Sequence, residues 1–300
     1  MPLIVAYIVP LNILNTKGLA KESMAGSMLG SIVNIILDPI FIFKFNMGAA
    51  GAALATVLGN ASSVILYIYF YRKAKWLSLS VKKCRVTLPE MKDIFSVGIP
   101  ASLVNIMQSY SSALTNRFLL PFGNDKIAAL GISSKISMIV SMILIGFAYG
   151  AQPLIGYSYG QKNYDRLKKI LKFIYTFLIG LAAILVLILG ISAPLLLGFF
   201  MDDAAIVSAG TQILRTHLSG MCFTAIILVS TCIFQSAGKG QAALILCISR
   251  QGIIFTIVMF VSNFLFGYAG VISTMPISDF LAATLAVFLL KKNLFKEISA

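Results

Sequence analysis

Acidic residues are scarce in this 300-residue chain, with ten Asp and Glu against twenty-four Lys and Arg. One histidine, His217, and four cysteines without metal-ligand spacing (Cys84, Cys222, Cys232 and Cys247) supply no imidazole or thiolate set, which excludes a zinc-type centre. Three of these cysteines lie in apolar stretches, where a thiol packs as a small residue. The chain also lacks G-x-x-x-x-G-K-[ST], H-E-x-x-H and G-x-S-x-G. Nucleotide-driven and hydrolytic chemistry therefore have no residues here, and neither an enzyme nor a cofactor is expected. Met1 opens on apolar sequence without a basic n-region or a small-residue cleavage site, so no secretory signal is expected. Charged residues of both signs make up only 11%, less than half the usual share in soluble domains.

What the chain has in place of charge is apolar length: 59% of it is hydrophobic, with a mean hydropathy of +0.93. No soluble core of this size hides so much apolar side chain, so an all-α integral membrane protein in the lipid bilayer is expected. Eight full spans are read at 24–45, 49–72, 91–119, 125–157, 165–192, 204–235, 240–266 and 269–291, after an apolar stub at 1–16. Each is long enough to cross about 30 Å of hydrocarbon. Taken alternately, one set of connections carries eighteen Lys and Arg, concentrated at 72–92, 162–172 and 291–296, and the other only Lys44, Arg117 and Lys126. The net charge of +14 is thus a topology signal rather than a nucleic-acid surface, and it puts the 72–92 loop and the C-terminus in the cytoplasm.

The chain also repeats itself. Gly18 in "NTKGLAKESM" falls on Gly238 in "QSAGKGQAAL" at an offset of 220, and "GAAG" at 48–51 falls on "GYAG" at 267–270 at an offset of 219. Beyond these, Asn60 falls on Asp279 and Arg72–Lys73 on Lys291–Lys292. An even number of spans separates the copies, so the repeat is a parallel pair of six-helix lobes. The expected organisation is the end of an incomplete first lobe at 1–72 (a helix-four stub and helices five and six), a cytoplasmic connector at 73–90, a complete second lobe at 91–292 and a cytoplasmic tail at 293–300. On this reading the chain is two thirds of a twelve-helix protein that lacks the first four helices.

Asp38 stands out as the only acid in "MAGSMLGSIVNIILDPIFIFKF". An ionised Asp well inside a span costs about 2.5–3.5 kcal/mol even on insertion scales, and such residues mark ion paths, bond a neighbouring helix or snorkel to the outer interface. Asn34 lies one turn earlier on the same helix face. Thr56 lies five residues past Gly51 on the next segment, at a depth of roughly 8 Å, while Asp38 lies six residues before Lys44, at roughly 9 Å. A carboxylate, an amide oxygen and a hydroxyl at one level suit a hard cation such as Na⁺, and Pro39, without an N–H, frees a backbone carbonyl nearby. An apolar site also raises a carboxyl pKa, which suits the same group to H⁺. At the equivalent place the second copy has Ile254 and Val258, so the fold does not need the acid.

Elsewhere, Asn105 and Gln108 share one face of the 91–119 span, as cavity lining or as interhelical hydrogen-bond partners. Lys135, Arg215 and Arg250 stand within apolar sequence, where a cation faces the cavity, pairs or snorkels. Pairing of Arg250 with Asp279 on the next span is one such arrangement.

The stretches "NIILDPIFIF", "GAAGAALATVLGN", "GIPASLVNIMQ", "FAYGAQPLIGYSYGQKN", "FQSAGKGQAALILCISRQ" and "GYAGVISTMPISD" together resemble the multidrug and toxic compound extrusion (MATE) family, in its bacterial branch typified by DinF and MepA. The resemblance runs from helix five to helix twelve of that fold. It implies a monomeric, multi-pass antiporter of the bacterial inner membrane, exporting lipophilic, often cationic small molecules against inward Na⁺ or H⁺. It also implies a first-lobe cation site with Asn34 and Asp38 on helix five and Thr56 on helix six; a further Asp on helix one has no counterpart here. The second lobe has Gln108 and no acid at 219–235 where other branches place acids, which speaks against a cation site there. The alternatives are a lipid-linked oligosaccharide flippase of the same superfamily, for which Lys135, Arg215 and Arg250 would hold pyrophosphate, and a truncated remnant that inserts without transporting.

Overall fold

The computed structural model describes residues 2–74, 87–201 and 203–292, and its elements are all helical, with no strand among the described residues. Most of the expected connector, residues 75–86 with Cys84, and the tail at 293–300 lie outside the described residues. The chain divides into two units, Met1–Val86 and Thr87–Ala300.

The first unit has three helices: α1 (Pro2–Thr16), α2 (Ala20–Pro39) continued by a π turn (Ile40–Lys44), and α3 (Gly48–Ala74). Tyr67 and Tyr71 of α3 tie it together. Tyr67 donates its hydroxyl to the Ser23 carbonyl (3.0 Å) and Tyr71 to that of Pro10 (2.6 Å). Both rings are buried beside Leu14.

The second unit runs through α4 (Leu88–Leu119), α5 (Asn124–Gly160), α6 (Tyr164–Ile191), α7 (Ala193–Phe200), α8 (Ala204–Ser219) and α9 (Met221–Ser236). It closes with α10 (Gly240–Ile248), a π turn (Ser249–Ile253), α11 (Ile254–Phe266) and α12 (Tyr268–Leu290). Its main core gathers Val140, Leu144, Leu178, Leu218, Ala225 and Phe234, among other residues of α5, α6, α8, α9 and α12. Side chains such as Phe43, Leu195, Phe199 and Phe264 are at least three-quarters exposed, as lipid-facing positions require. Seven stretches among the described residues have the length and apolar character to cross a membrane, and α4 stands as a 32-residue helix at the place of the eighth span.

Three features depart from the expected spans. The stretch 204–235 is two helices that meet at Gly220, where a Cβ would come within 3.0 Å of Pro276 Cα; the joint lets α8 and α9 fit against the proline of α12. The stretch 240–266 is interrupted by its π turn, and the short helix α7 follows α6 directly.

The repeat is visible in backbone conformation. Gly18 and Gly238 are both left-handed, with φ of 78° and 71°. Each closes a helix with the same hydrogen-bond pair: Gly18 N–H to Asn15 O with Leu19 N–H to Leu14 O, and Gly238 N–H to Gln235 O with Lys239 N–H to Phe234 O. Gly48 and Gly267 share a φ of 53° at the next turn. Helix α1 therefore corresponds to α9, α2 to α10–α11, and α3 to α12.

Candidate functional site

Gly26, Gly30, Asn34 and Asp38 recur every four residues and form one stripe along α2. The two glycines let α3 come close. A Cβ at Gly30 would meet Gly59 O at 2.8 Å, one at Gly59 would meet Gly30 O at 2.7 Å and Asn34 Cβ at 3.1 Å, and one at Gly26 would collide with the Tyr67 ring. This crossing sets the polar residues of the two helices side by side. Asn34 Nδ2 donates to Thr56 Oγ1 across the pair (3.4 Å), and the Thr56 hydroxyl donates onward to Ala52 O (2.9 Å). With its amine spent on Thr56, the amide of Asn34 has its carbonyl oxygen left as acceptor.

Asp38 continues the stripe one turn further. Its Oδ1 is buried and has no hydrogen-bond partner among the described residues. Buried polar oxygens are nearly always satisfied, so an orphaned carboxylate oxygen at this depth is the most unusual atom of the unit. Pro39 next to it cannot donate to the Ile35 carbonyl four residues back, and the chain passes directly into the π turn Ile40–Lys44. Such turns open a helix at functional positions.

Above Asn34 the stripe borders a polar cleft of about 130 Å³, lined by Tyr7 of α1, Ser27, Gly30, Ser31 and Asn34 of α2, and Thr56, Gly59, Asn60 and Ser63 of α3. Sequence reading missed its hydroxyl and amide lining (Ser27, Ser31, Asn60, Ser63). The period-four glycines were the available signal, because they mark which face of α2 a neighbour approaches.

In the second unit the candidate residues separate. Asn105 and Gln108 are exposed on α4, and Lys135 is exposed on α5. Arg250 and Asp279 meet in a two-pronged ion pair: Nε to Oδ1 at 2.6 Å and Nη2 to Oδ2 at 3.2 Å. Thr224 of α9 completes it, donating to Asp279 Oδ2 (2.7 Å) and accepting from Arg250 Nη2 (3.1 Å). Arg215 Nε donates to the Gly190 carbonyl near the end of α6 (2.9 Å). Two of the three cations embedded in apolar sequence are thus engaged by the protein itself. The buried His217 and the free Cys222, Cys232 and Cys247 belong to no cluster of three or more metal-ligating groups among the described residues.

The MatE family model matches residues 100–268. The multidrug export protein MepA of Staphylococcus saprophyticus is 33% identical over 297 residues, covering 98% of this chain and 65% of its own. The protein of that name from Staphylococcus haemolyticus is 32% identical over 289 residues, covering 96% and 64%. The chain thus spans about 65% of the length of the first of these relatives. Among solved structures, the outward-facing conformation of a multidrug resistance MATE family transporter of the MOP superfamily superposes with a TM-score of 0.86 at 25% identity, over 99% of this chain and 66% of the other. A MATE structure in complex with MaL6 superposes equally well at 24% identity, over 99% and 67%. With the fold reproduced along nearly its whole length and the family model matched over more than half of it, this multi-pass membrane protein belongs to the MatE family.

Proposed function

We propose that the chain works in a cation-coupled antiporter that exports lipophilic cations and other toxic small molecules, with Asn34, Asp38 and Thr56 taking up Na⁺ or H⁺. The observation that carries this reading is the orphaned Asp38 Oδ1, buried one turn from the Asn34–Thr56 pair. The buried Oδ1 of an ionised carboxylate there has no hydrogen-bond partner among the described residues, so a small cation or a proton is the species that would stabilise it. The donor set is oxygen throughout, as a hard cation prefers. The relatives' designation as multidrug export proteins supports the drug side of the exchange.

In the outward-open state the site takes up the ion, which favours the change of access that releases drug outside. In the inward-open state the ion leaves and drug binds again from the cytoplasm or inner leaflet. Linkage requires that ion and drug favour opposite states, each weakening the other's binding by the same factor. The protein acts as a monomer in the bacterial inner membrane, with its basic connector and C-terminus in the cytoplasm.

Asp38→Asn keeps the side chain's size and removes its charge. Introduced into the native gene, it is expected to abolish Na⁺- or H⁺-driven efflux of an ethidium-like cation from cells while the protein still reaches the membrane. Wild-type efflux by the variant under either gradient would overturn the assignment.

A further inference from the structure

The repeat puts Arg250 in a definite place. At offset 220 it falls on Gly30 and at offset 219 on Ser31, and both residues line the polar cleft of the first unit. Its partner Asp279 falls on Asn60, which lines the same cleft from the opposite helix. Thr224 lies on α9, the counterpart of the helix that carries Tyr7, the cleft's third wall. The three helices that wall the first-unit cleft thus have counterparts in the second unit, where Arg250, Asp279 and Thr224 (which itself falls on Ile4, one turn before Tyr7) are bonded to one another. The Asp38 and Asn34 equivalents, Val258 and Ile254, are apolar, and Val258 is buried.

We propose that Arg250 is a tethered cation: its guanidinium fills, in the second lobe, the place of the polar cleft that borders the ion site of the first lobe. Asp279 has a guanidinium in direct contact and Thr224 bridging the two, with the Arg250 and Asp279 side chains only 15% and 4% exposed. Fixing the charge covalently satisfies the carboxylate in every state of the protein, so that lobe neither takes up nor releases an ion. The π turn Ser249–Ile253 serves this arrangement, since the extra residue in the turn re-aims a side chain without breaking the helix. Gly220 serves it too: a Cβ there would lie 3.4 Å from Asp279 Oδ2 and 3.0 Å from Pro276 Cα, so its absence lets the α8–α9 joint close over the pair. Arg250, Asp279 and Thr224 satisfy one another whatever the first lobe binds. The comparison with a mobile ion, and its corollary that ion coupling is confined to the first lobe, rest on the reading of Asp38 given above.

The test is thermal unfolding of the purified chain in detergent, comparing wild type, Arg250→Ala and Arg250→Ala/Asp279→Asn. Stripping one partner from a buried pair leaves an uncompensated charge, so the single variant should melt on the order of 10 °C lower. Removing both charges should restore most of that loss. Millimolar guanidinium ion, compared with tetramethylammonium at the same ionic strength, should raise the melting temperature of the single variant and leave the double variant unchanged. If the single variant yields no folded protein, recovery of folded protein in the double variant supports the proposal by the same logic. A double variant as unstable as the single one, or guanidinium acting alike on both, overturns it. The guanidinium response should persist when Asp38→Asn is added. A response that disappears with Asp38 would place the effect in the first lobe and refute the assignment, whereas loss of ion-driven efflux alone bears only on Asp38.

Discussion

A methyl group on Gly59 would face the Gly30 carbonyl oxygen at 2.7 Å and the Asn34 Cβ at 3.1 Å, in two helix backbones that cannot give as a flexible side chain can. Gly59→Ala is therefore expected to destabilise the protein by about 1–3 kcal/mol, the usual cost of overpacking. It should also separate Asn34 from Thr56, whose contact is already at 3.4 Å, and so reduce ion-driven efflux more than stability alone predicts. Gly131→Ala is the matched control. It lies within α5 with nothing within 4 Å of an added Cβ, and an interior helical glycine changed to alanine gains roughly 0.5–1 kcal/mol. Melting temperature and efflux measured on both variants decide the matter; equal behaviour would mean that the Gly30–Gly59 crossing does not set the geometry of the polar pair. The same residue scale shows where sequence reasoning stops. The period-four run Gly26, Gly30, Asn34, Asp38 can be seen in the sequence, but the partner that makes it a crossing, Gly59, is identified only by distance. For Arg250, cavity lining, pairing and snorkelling were equally open because all three satisfy the same charge, and the 2.6 Å contact to Asp279 selects among them.

Helix boundaries were legible wherever apolar runs end in turn glycines. The segments read at 24–45, 49–72 and 125–157 appear as Ala20–Lys44, Gly48–Lys73 and Asn124–Gly160. Interruptions within runs were not legible. The joint at Gly220, the passage from α6 to α7 around Ser192 and the π turn Ser249–Ile253 lie inside runs that composition reads as continuous, and the π turn Ile40–Lys44 is the apolar end of its own span, so composition does not register them. One boundary carries its own chemistry. Thr87 precedes α4, and the Glu90 carboxylate accepts from the Thr87 backbone N–H and hydroxyl, both at 2.8 Å, in a capping box at the start of the helix. These two hydrogen bonds, the backbone one first, hold the Glu90 carboxyl below its ordinary 4.5. A carboxyl depressed in the folded state adds stability above its unfolded pKa and loses it as pH falls through the folded one. Protection factors of the first amides of α4, corrected for the pH dependence of intrinsic exchange, should therefore be unchanged from neutral pH down to about the ordinary glutamate value and fall below it. Glu90→Gln should lose that pH dependence. A profile identical in the two proteins would show that the capping box does not hold this end of the helix.

Over the whole molecule, the proposed orientation follows from the distribution of basic residues. Eighteen Lys and Arg fall on one set of connections and three on the other, and cations near span ends are retained on the cytoplasmic side. Within each unit, the turns at opposite ends of a span should then be reachable from opposite faces. In a background with all four cysteines replaced, Met47→Cys between α2 and α3 and Asn124→Cys at the start of α5 should react with a membrane-impermeant maleimide in intact cells. Lys17→Cys between α1 and α2 and Gln161→Cys between α5 and α6 should react only after permeabilisation. All four positions are exposed in the structure, so access is decided by the membrane rather than by burial. The outcome bears directly on mechanism. Asp38 lies close to the Lys44 end of its span, so the expected orientation presents it to the outer solution, from which an inward ion gradient is loaded. The inverted labelling pattern would place the same carboxylate on the cytoplasmic side, where it could not accept an ion from outside without a path through most of the bilayer, and the proposed direction of exchange would fail with it.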